Sequence, residues 1–215
     1  MNFRTWTALA LCGAAVAAQA PASRPAAESR PAPIDVGDVV DGAVKVRDLD
    51  GAETTFADLR GKTVAIVFYS TQCPWMKAAE PKLKTLHAAW KSDKDVVFLA
   101  VDANRGEIGA DPWANGAKPA DPATTYADIR AHLKKNDVAF PIYADHGNRF
   151  ADLLRAKTTP HCMVVDAKGV LRYSGALDDD GRDKLGDKAT PYFRNAVEAV
   201  KNGRAPAEAT NAPYG

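Results

Sequence analysis

The stretch TVAIVFYSTQCPWMK, residues 63–77, decides how the rest of the chain is read. Its first half, Thr63 to Tyr69, is an unbroken apolar run, the pattern of a strand covered on both faces. A short polar loop, Ser70-Thr71-Gln72, separates this strand from Cys73. Residues 74–90 then read as a helix, with Leu83, Leu86, Ala89 and Trp90 at helical spacing. Pro74 suits the first helical position, where an N–H is not needed. Cys73 therefore stands at the start of a helix, where unpaired N–H groups and the helix dipole favour a thiolate. Pro81 lies inside the same helix and is expected to kink it.

Working outward, residues 96–101 (VVFLAV) form a second buried strand, so strand, helix and strand imply parallel pairing through a crossover. Upstream, residues 44–47 alternate, Asp50-Gly51 marks a tight turn, and Thr54-Thr55-Phe56 resumes the pattern; together they predict a β-hairpin. Residues 57–62 read as one helical turn ended by Gly61. Residues 105–124, with Pro112, Pro119 and Pro122 among Gly106, Gly109 and Gly116, break the pattern and read as a surface insertion, an inert loop in the plainer reading and a lid or partner contact in the alternative. Further on come a helix over 126–135, a short strand over 140–143 and a short helix over 150–154. An antiparallel hairpin over 163–173 turns at Ala167-Lys168-Gly169, and an amphipathic helix over 191–201 opens on Pro191. The implied fold class is α/β: a central mixed sheet flanked by helices, with an N-terminal β-hairpin extension.

The ends of the chain differ from its middle. Residues 1–18 carry Arg4 and then an Ala- and Leu-rich apolar run ending in small residues, which reads as a signal peptide cleaved after Ala18. That run is too short to span a bilayer, which takes about 20 residues. Residues 19–33 are a Pro- and Ala-rich linker, residues 34–203 the folded domain, and residues 204–215 a flexible tail. An exported protein, periplasmic or extracellular, keeps Cys73 and Cys162 after Cys12 leaves with the signal. A net charge of +1, with 28 Lys and Arg against 27 Asp and Glu, gives no basic face for nucleic acid or an anionic membrane. No membrane contact is expected once the signal is gone.

A second unit completes the constellation. Thr158-Thr159-Pro160-His161 leads into the apolar Met163-Val164-Val165, and a Thr-Pro bond directly before a buried strand suits a cis peptide. Thr159 could then offer its backbone to an extended substrate beside Cys73, while an ordinary trans proline at a strand entry is the plainer alternative. Trp75 either forms part of that substrate-facing surface or packs against the loop.

The order of elements, the Cys73-Pro74-Trp75-Met76-Lys77 stretch, Pro81 and Thr159-Pro160 resemble thioredoxin-like proteins. More closely, the chain resembles exported redoxins of the alkyl hydroperoxide reductase and thiol-specific antioxidant (AhpC/TSA) type. The lead-in Asp58-Leu59-Arg60-Gly61-Lys62, the turn Asp166-Ala167-Lys168-Gly169 and the run from Tyr173 to Asp179 carry that likeness. It implies a thioredoxin-like fold and thiol-based oxidoreductase or antioxidant chemistry at Cys73. Two departures narrow that implication. Thioredoxin-type enzymes use Cys-x-x-Cys, whose second thiol resolves a mixed disulfide, and here Met76 takes that place. Peroxiredoxins carry Pro-x-x-x-Thr-x-x-Cys and a distant Arg; here Ser70 keeps a hydroxyl at the Thr position, Ile66 replaces the Pro, and Pro160 falls where the Arg is expected.

The catalytic candidates are thus Cys73 as nucleophile, Ser70 as its activating hydroxyl and Cys162 as a resolving thiol. Pro74, Trp75, Thr159 and Pro160 are the substrate-binding candidates. Cys162 either pairs with Cys73, which needs Cβ atoms about 4 Å apart, or is a small core residue. The expected partners are a peroxide or a protein thiol or disulfide, with an unidentified reductant. No cofactor is implied, and no metal site is assigned, although Cys73, Cys162 and His161 could in principle hold copper or zinc. His87, His132 and His146 lack ligand spacing, and Asp178-Asp179-Asp180-Gly181 reads as a solvated turn. The alternatives to a thiol enzyme are a non-catalytic binding module of the same fold and a copper-handling protein.

Overall fold

The structure, a computed structural model, describes residues 30–215. The expected signal peptide and most of the linker lie outside the described residues.

Alternation along single strands builds two cores, one on each face of the sheet. In β3 (Thr63–Tyr69), Ala65, Val67 and Tyr69 enter one core while Val64, Ile66 and Phe68 enter the other. Covered on both faces, the strand must be apolar throughout, which is why it reads as a continuous run. β3 pairs in parallel with β4 (Val96–Asp102), from Thr63 opposite Val96 to Tyr69 opposite Asp102. β4 pairs in parallel with β5 (Ile142–Ala144). On its other side β3 meets β6 (His161–Val165) antiparallel, and β6 meets β7 (Leu171–Gly175) antiparallel. The sheet order is β5-β4-β3-β6-β7, a mixed sheet with β3 at its centre. A separate antiparallel hairpin, β1 (Lys45–Arg47) and β2 (Glu53–Thr55), precedes it.

α1 (Pro74–Trp90) runs unbroken through Pro81 and buries Met76, Ala79, Leu83 and Trp90 in the first core. α5 (Tyr192–Lys201) joins it there through Phe193, Ala196, Val197 and Val200. α3 (Ala127–Lys135) adds Ile129 to that face, and α4 (Arg149–Leu153) covers the opposite core with Phe150. The architecture is a thioredoxin-like fold, a five-stranded mixed sheet flanked by helices, with the N-terminal hairpin expected from the sequence.

Three segments differ from expectation. Residues 57–62 form turns, not a helical turn, and Gly61 takes φ 84°, a left-handed position suited to glycine. The segment 105–124 is not inert: it opens with α2 (Arg105–Ile108), which buries Ile108 and carries a carboxylate into the loop ahead of Cys73. The tail is not loose either. Ser174 N donates to Ala209 O, Asn211 N to Ser174 O, and the Asn211 side chain accepts from Ala176 N at 2.7 Å and from the buried Tyr173 hydroxyl. Hydrophilic composition misleads here because these residues spend their polar groups on the edge of β7.

Candidate active site

Cys73 is the residue ahead of α1, with extended dihedrals (φ −72°, ψ 123°) and Pro74 opening the helix behind it. Its side chain does not cap the helix. Instead the thiol donates to the carbonyl of Thr159, with Sγ 3.0 Å from the oxygen. The Thr159–Pro160 bond is cis, as the sequence suggested. Cys73 is half-buried at the edge of a cavity of about 540 Å³, whose wall includes Ser70, Gln72, Asn104, Lys157 and Thr159. The fold therefore brings together two segments far apart in sequence, the Cys73 loop and the Thr159-Pro160 loop, at one opening.

Met76 shows why the second thiol of a Cys-x-x-Cys pair has no counterpart. It is 2% exposed and packs in the first core, so the position is filled by hydrophobic packing. Cys162 sits in β6 opposite Val67 and is wholly buried in the same core. Both thiols are free. Burial pushes the Cys162 thiol well up, the behaviour of a packed core residue and not of an attacking thiolate.

Ser70 is bonded to an acidic side chain. Its hydroxyl donates to Glu107, a residue that no sequence motif marks, and its oxygen accepts a long bond (3.3 Å) from Gln72 N. Glu107 also accepts from the Thr71 hydroxyl, from Thr71 N at 2.7 Å and from the Asn104 side chain at 2.8 Å. Burial opposes its charge, but the Ser70 and Thr71 bonds outweigh it, so its carboxyl titrates below the usual range. Beside it lies Asp102, the last residue of β4, fully buried. Burial and the Glu107 charge push the Asp102 carboxyl up to about 8.

Trp75 lies on the far side of Cys73, half-buried against the tail. Its ring is 6.0 Å from that of Tyr214, and the Arg182 guanidinium sits 5.5 Å from its centre. The Tyr214 hydroxyl donates to Asp178 at 2.8 Å, and Lys82 pairs with the same carboxylate at 2.9 Å. Asp180 accepts backbone N–H bonds from Lys184, Leu185 and Gly186. Asp178 and Asp180, read from the sequence as a solvated turn, are buried ends of this network.

His161 is not placed as a ligand. Its Nδ1 accepts from Lys157 N and its Nε2 meets the Ser174 hydroxyl at 3.1 Å, tying the Pro160 loop to β7. Burial, with Lys157 nearby, takes its pKa down to about 4, so the ring is neutral. Among the described residues no group of three or more His, Cys, Asp or Glu side chains is arranged to hold a metal ion. No described helix is long and apolar enough to cross a membrane.

A helix-initiating cysteine against the carbonyl ahead of a cis proline, on a five-stranded mixed sheet, defines a thioredoxin-fold thiol protein. Residues 36–174 match the AhpC/TSA family, and the chain belongs to that family. Among solved structures, a hypothetical protein from Sinorhizobium meliloti 1021 is similar at TM-score 0.64 and 23% identity, covering 85% of this chain and 92% of that one. An uncharacterized conserved protein from Geobacillus kaustophilus is similar at TM-score 0.63 and 22% identity, covering 83% and 90%. These likenesses concern the fold. The thiol-disulfide oxidoreductase ResA of Bacillus cereus is 25% identical over 124 residues, which are 58% of this chain and 60% of that protein. The match thus spans about three fifths of that relative's length.

Proposed function

We propose that the protein is a one-thiol oxidoreductase acting outside the cytoplasm, with Cys73 exchanging disulfides with a protein or small thiol partner. The observation that carries this reading is the position of Cys73: at a helix start, open to a cavity, and 3.0 Å from the Thr159 carbonyl. The reading is supported by the family and by the likeness to proteins named thiol-disulfide oxidoreductase. The exported setting is supported by the character of residues 1–18.

In the proposed cycle the Cys73 thiolate attacks one sulfur of R–S–S–R′. The new bond is Cys73–S–S–R, and R′–S⁻ leaves and takes a proton from solvent. Cys162 is buried and Met76 carries no thiol, so an external thiol R″–SH resolves the adduct as its thiolate. It regenerates Cys73–S⁻, which takes a proton, and releases R–S–S–R″. Thr159 presents its carbonyl to whatever enters beside the sulfur, with Pro160 buried behind it and Trp75 on the far side of Cys73. A peroxide would use the same sulfur, Cys73–SH and ROOH giving Cys73–SOH and ROH.

The test is mass mapping of the protein after oxidised glutathione and, separately, after dilute hydrogen peroxide. A glutathione adduct on Cys73, released by added thiol, is the expected result. A sulfenic acid on Cys73 without a glutathione adduct would move the assignment to a one-thiol peroxidase. No change at Cys73 with either reagent would overturn the redox reading and leave a non-catalytic binding protein.

A further inference from the structure

The loop that delivers Cys73 is held from below by two acidic residues, one of which has an unsatisfied oxygen. Ser70, Thr71 and Gln72 span the gap between β3 and the start of α1. All three address Glu107: Ser70 and Thr71 with their hydroxyls, Thr71 N at 2.7 Å, and Gln72 N at 3.4 Å. Glu107 reaches them from α2, whose first turn is set by Asn104, with its side chain accepting from Gly106 N. Asn104 also donates to both acids, through its backbone N to Asp102 at 2.8 Å and through its amide to Glu107 at 2.8 Å. Asp102 Oδ1 is thereby occupied, while Oδ2 is buried and has no hydrogen-bond donor among the described residues.

We propose that Glu107 is the positioning residue for the Cys73 thiol, and that Asp102 beneath it supplies the proton that makes two adjacent buried carboxyl groups compatible. An ionised Glu107 accepts four or more hydrogen bonds and fixes the loop geometry. An unpartnered carboxylate oxygen buried beside it would be repelled and desolvated, whereas a protonated Oδ2–H donates to Glu107, within hydrogen-bond reach. The two acids titrate as a pair, so removing the shared proton puts a second negative charge under the loop. The loop then loses the arrangement that holds Cys73 at the helix start. The other ionisable groups facing this pair are Tyr69 of β3, Glu80 of α1 and His132 of α3, linked to one another, and Asp145 and His146 after β5. Tyr69 keeps its proton, being buried and bonded to Glu80, and Asp145 is held by the backbone N–H groups of Phe150 and Ala151. Neither offers a donor to Asp102 Oδ2.

The inference rests on Cys73 being the reactive thiol, and the experiment separates the two. Rates of Cys73 alkylation by iodoacetamide and of its exchange with oxidised glutathione are measured from pH 5 to 10. The proteins are wild type, Glu107→Gln, Glu107→Ala and Asp102→Asn, with folding checked by circular dichroism. The wild-type alkylation profile is expected to depart from a single ionisation near pH 8. Asp102→Asn removes that departure, because its amide donates to Glu107 at every pH. Glu107→Ala slows Cys73 about tenfold, and Glu107→Gln, which keeps an acceptor for Ser70 and Thr71, recovers part of the rate. Should Glu107→Ala not fold, the Gln and Asn variants decide the matter. A single-ionisation profile in the wild type, or one unchanged in Asp102→Asn, overturns the inference, as does an unaltered rate in both Glu107 variants. If alkylation behaves as expected and no glutathione exchange occurs, the positioning role stands and the oxidoreductase reading fails.

Discussion

Replacing Asp102 by Asn should flatten the alkaline side of the stability profile. The carboxyl is wholly buried, and burial with the Glu107 charge moves its pKa from 3.8 to about 8. The folded protein therefore binds a proton there that the unfolded chain releases above pH 4. Stability from this group is full below 3.8 and is lost as pH rises toward 8, at about 1.4 kcal/mol per pH unit. Between pH 6 and 8 the wild type should lose about 2–3 kcal/mol, or about 5–10 °C in Tm for a chain of this size. The neutral Asn amide mimics the protonated acid and donates to Glu107, so the variant should lose nothing from this source. The assay is guanidinium unfolding at pH 6, 7, 8 and 9, followed by circular dichroism. His161 titrates at about 4, below this window, and His146, lowered by burial, is present in both proteins and cancels in the difference. Asp145 also titrates high, but it is present in both proteins and cancels in the difference. Parallel profiles from pH 6 to 8 would refute the reasoning, because they would mean that Asp102 is ionised, or solvated, throughout.

Cys162→Ala should cost about 1 kcal/mol of stability, as a small buried side chain does, and leave the rate of Cys73 with glutathione disulfide unchanged; a lost rate would restore Cys162 as a resolving thiol. Tyr214→Ala should free the Trp75 face, raise the rate of Cys73 with a bulky maleimide more than with iodoacetamide, and lower stability by about 1–3 kcal/mol, readable by paired labelling and unfolding curves. On the acid side, His161 should make the protein lose stability as pH falls from 6.5 toward 4, by about 3 kcal/mol, and His161→Gln should remove that loss in denaturant titrations at pH 4 to 7.

The fold is legible wherever one residue's neighbours in sequence decide its environment. The apolar run of β3, the helix from Pro74 to Trp90 and the Thr159-Pro160 entry to β6 all follow from period, capping and proline chemistry within a few positions. Cys73 and Thr159 can be placed together because the strand order of this fold class brings them together. The rest is illegible for a different reason. Glu107 sits in a stretch of prolines and glycines, and its partners Ser70 and Thr71 are 37 and 36 residues upstream. A single acidic residue after Asn104 carries no signal of which loop it will meet. The tail is hidden likewise, since alanine, proline and asparagine describe a loose segment until the edge of β7 gives their backbone groups partners.

Glu107 and the tail bear on the same question, how the one accessible thiol among the described residues is held. A second cysteine at Met76 would both resolve an adduct and lie beside the nucleophile; here that position is filled by packing against the sheet. In the proposed reading the groups that orient Cys73 come from elsewhere, and two neighbours without sulfur contact it or its loop. Glu107 fixes the backbone that leads into Cys73, and the Thr159 carbonyl fixes the direction of Sγ. On the other side of Cys73 the tail sets Tyr214 against Trp75 and anchors it to Asp178. On the Thr159 side Cys73 opens on the cavity bordered by Gln72, Asn104 and Lys157, which is the face the proposed exchange would use.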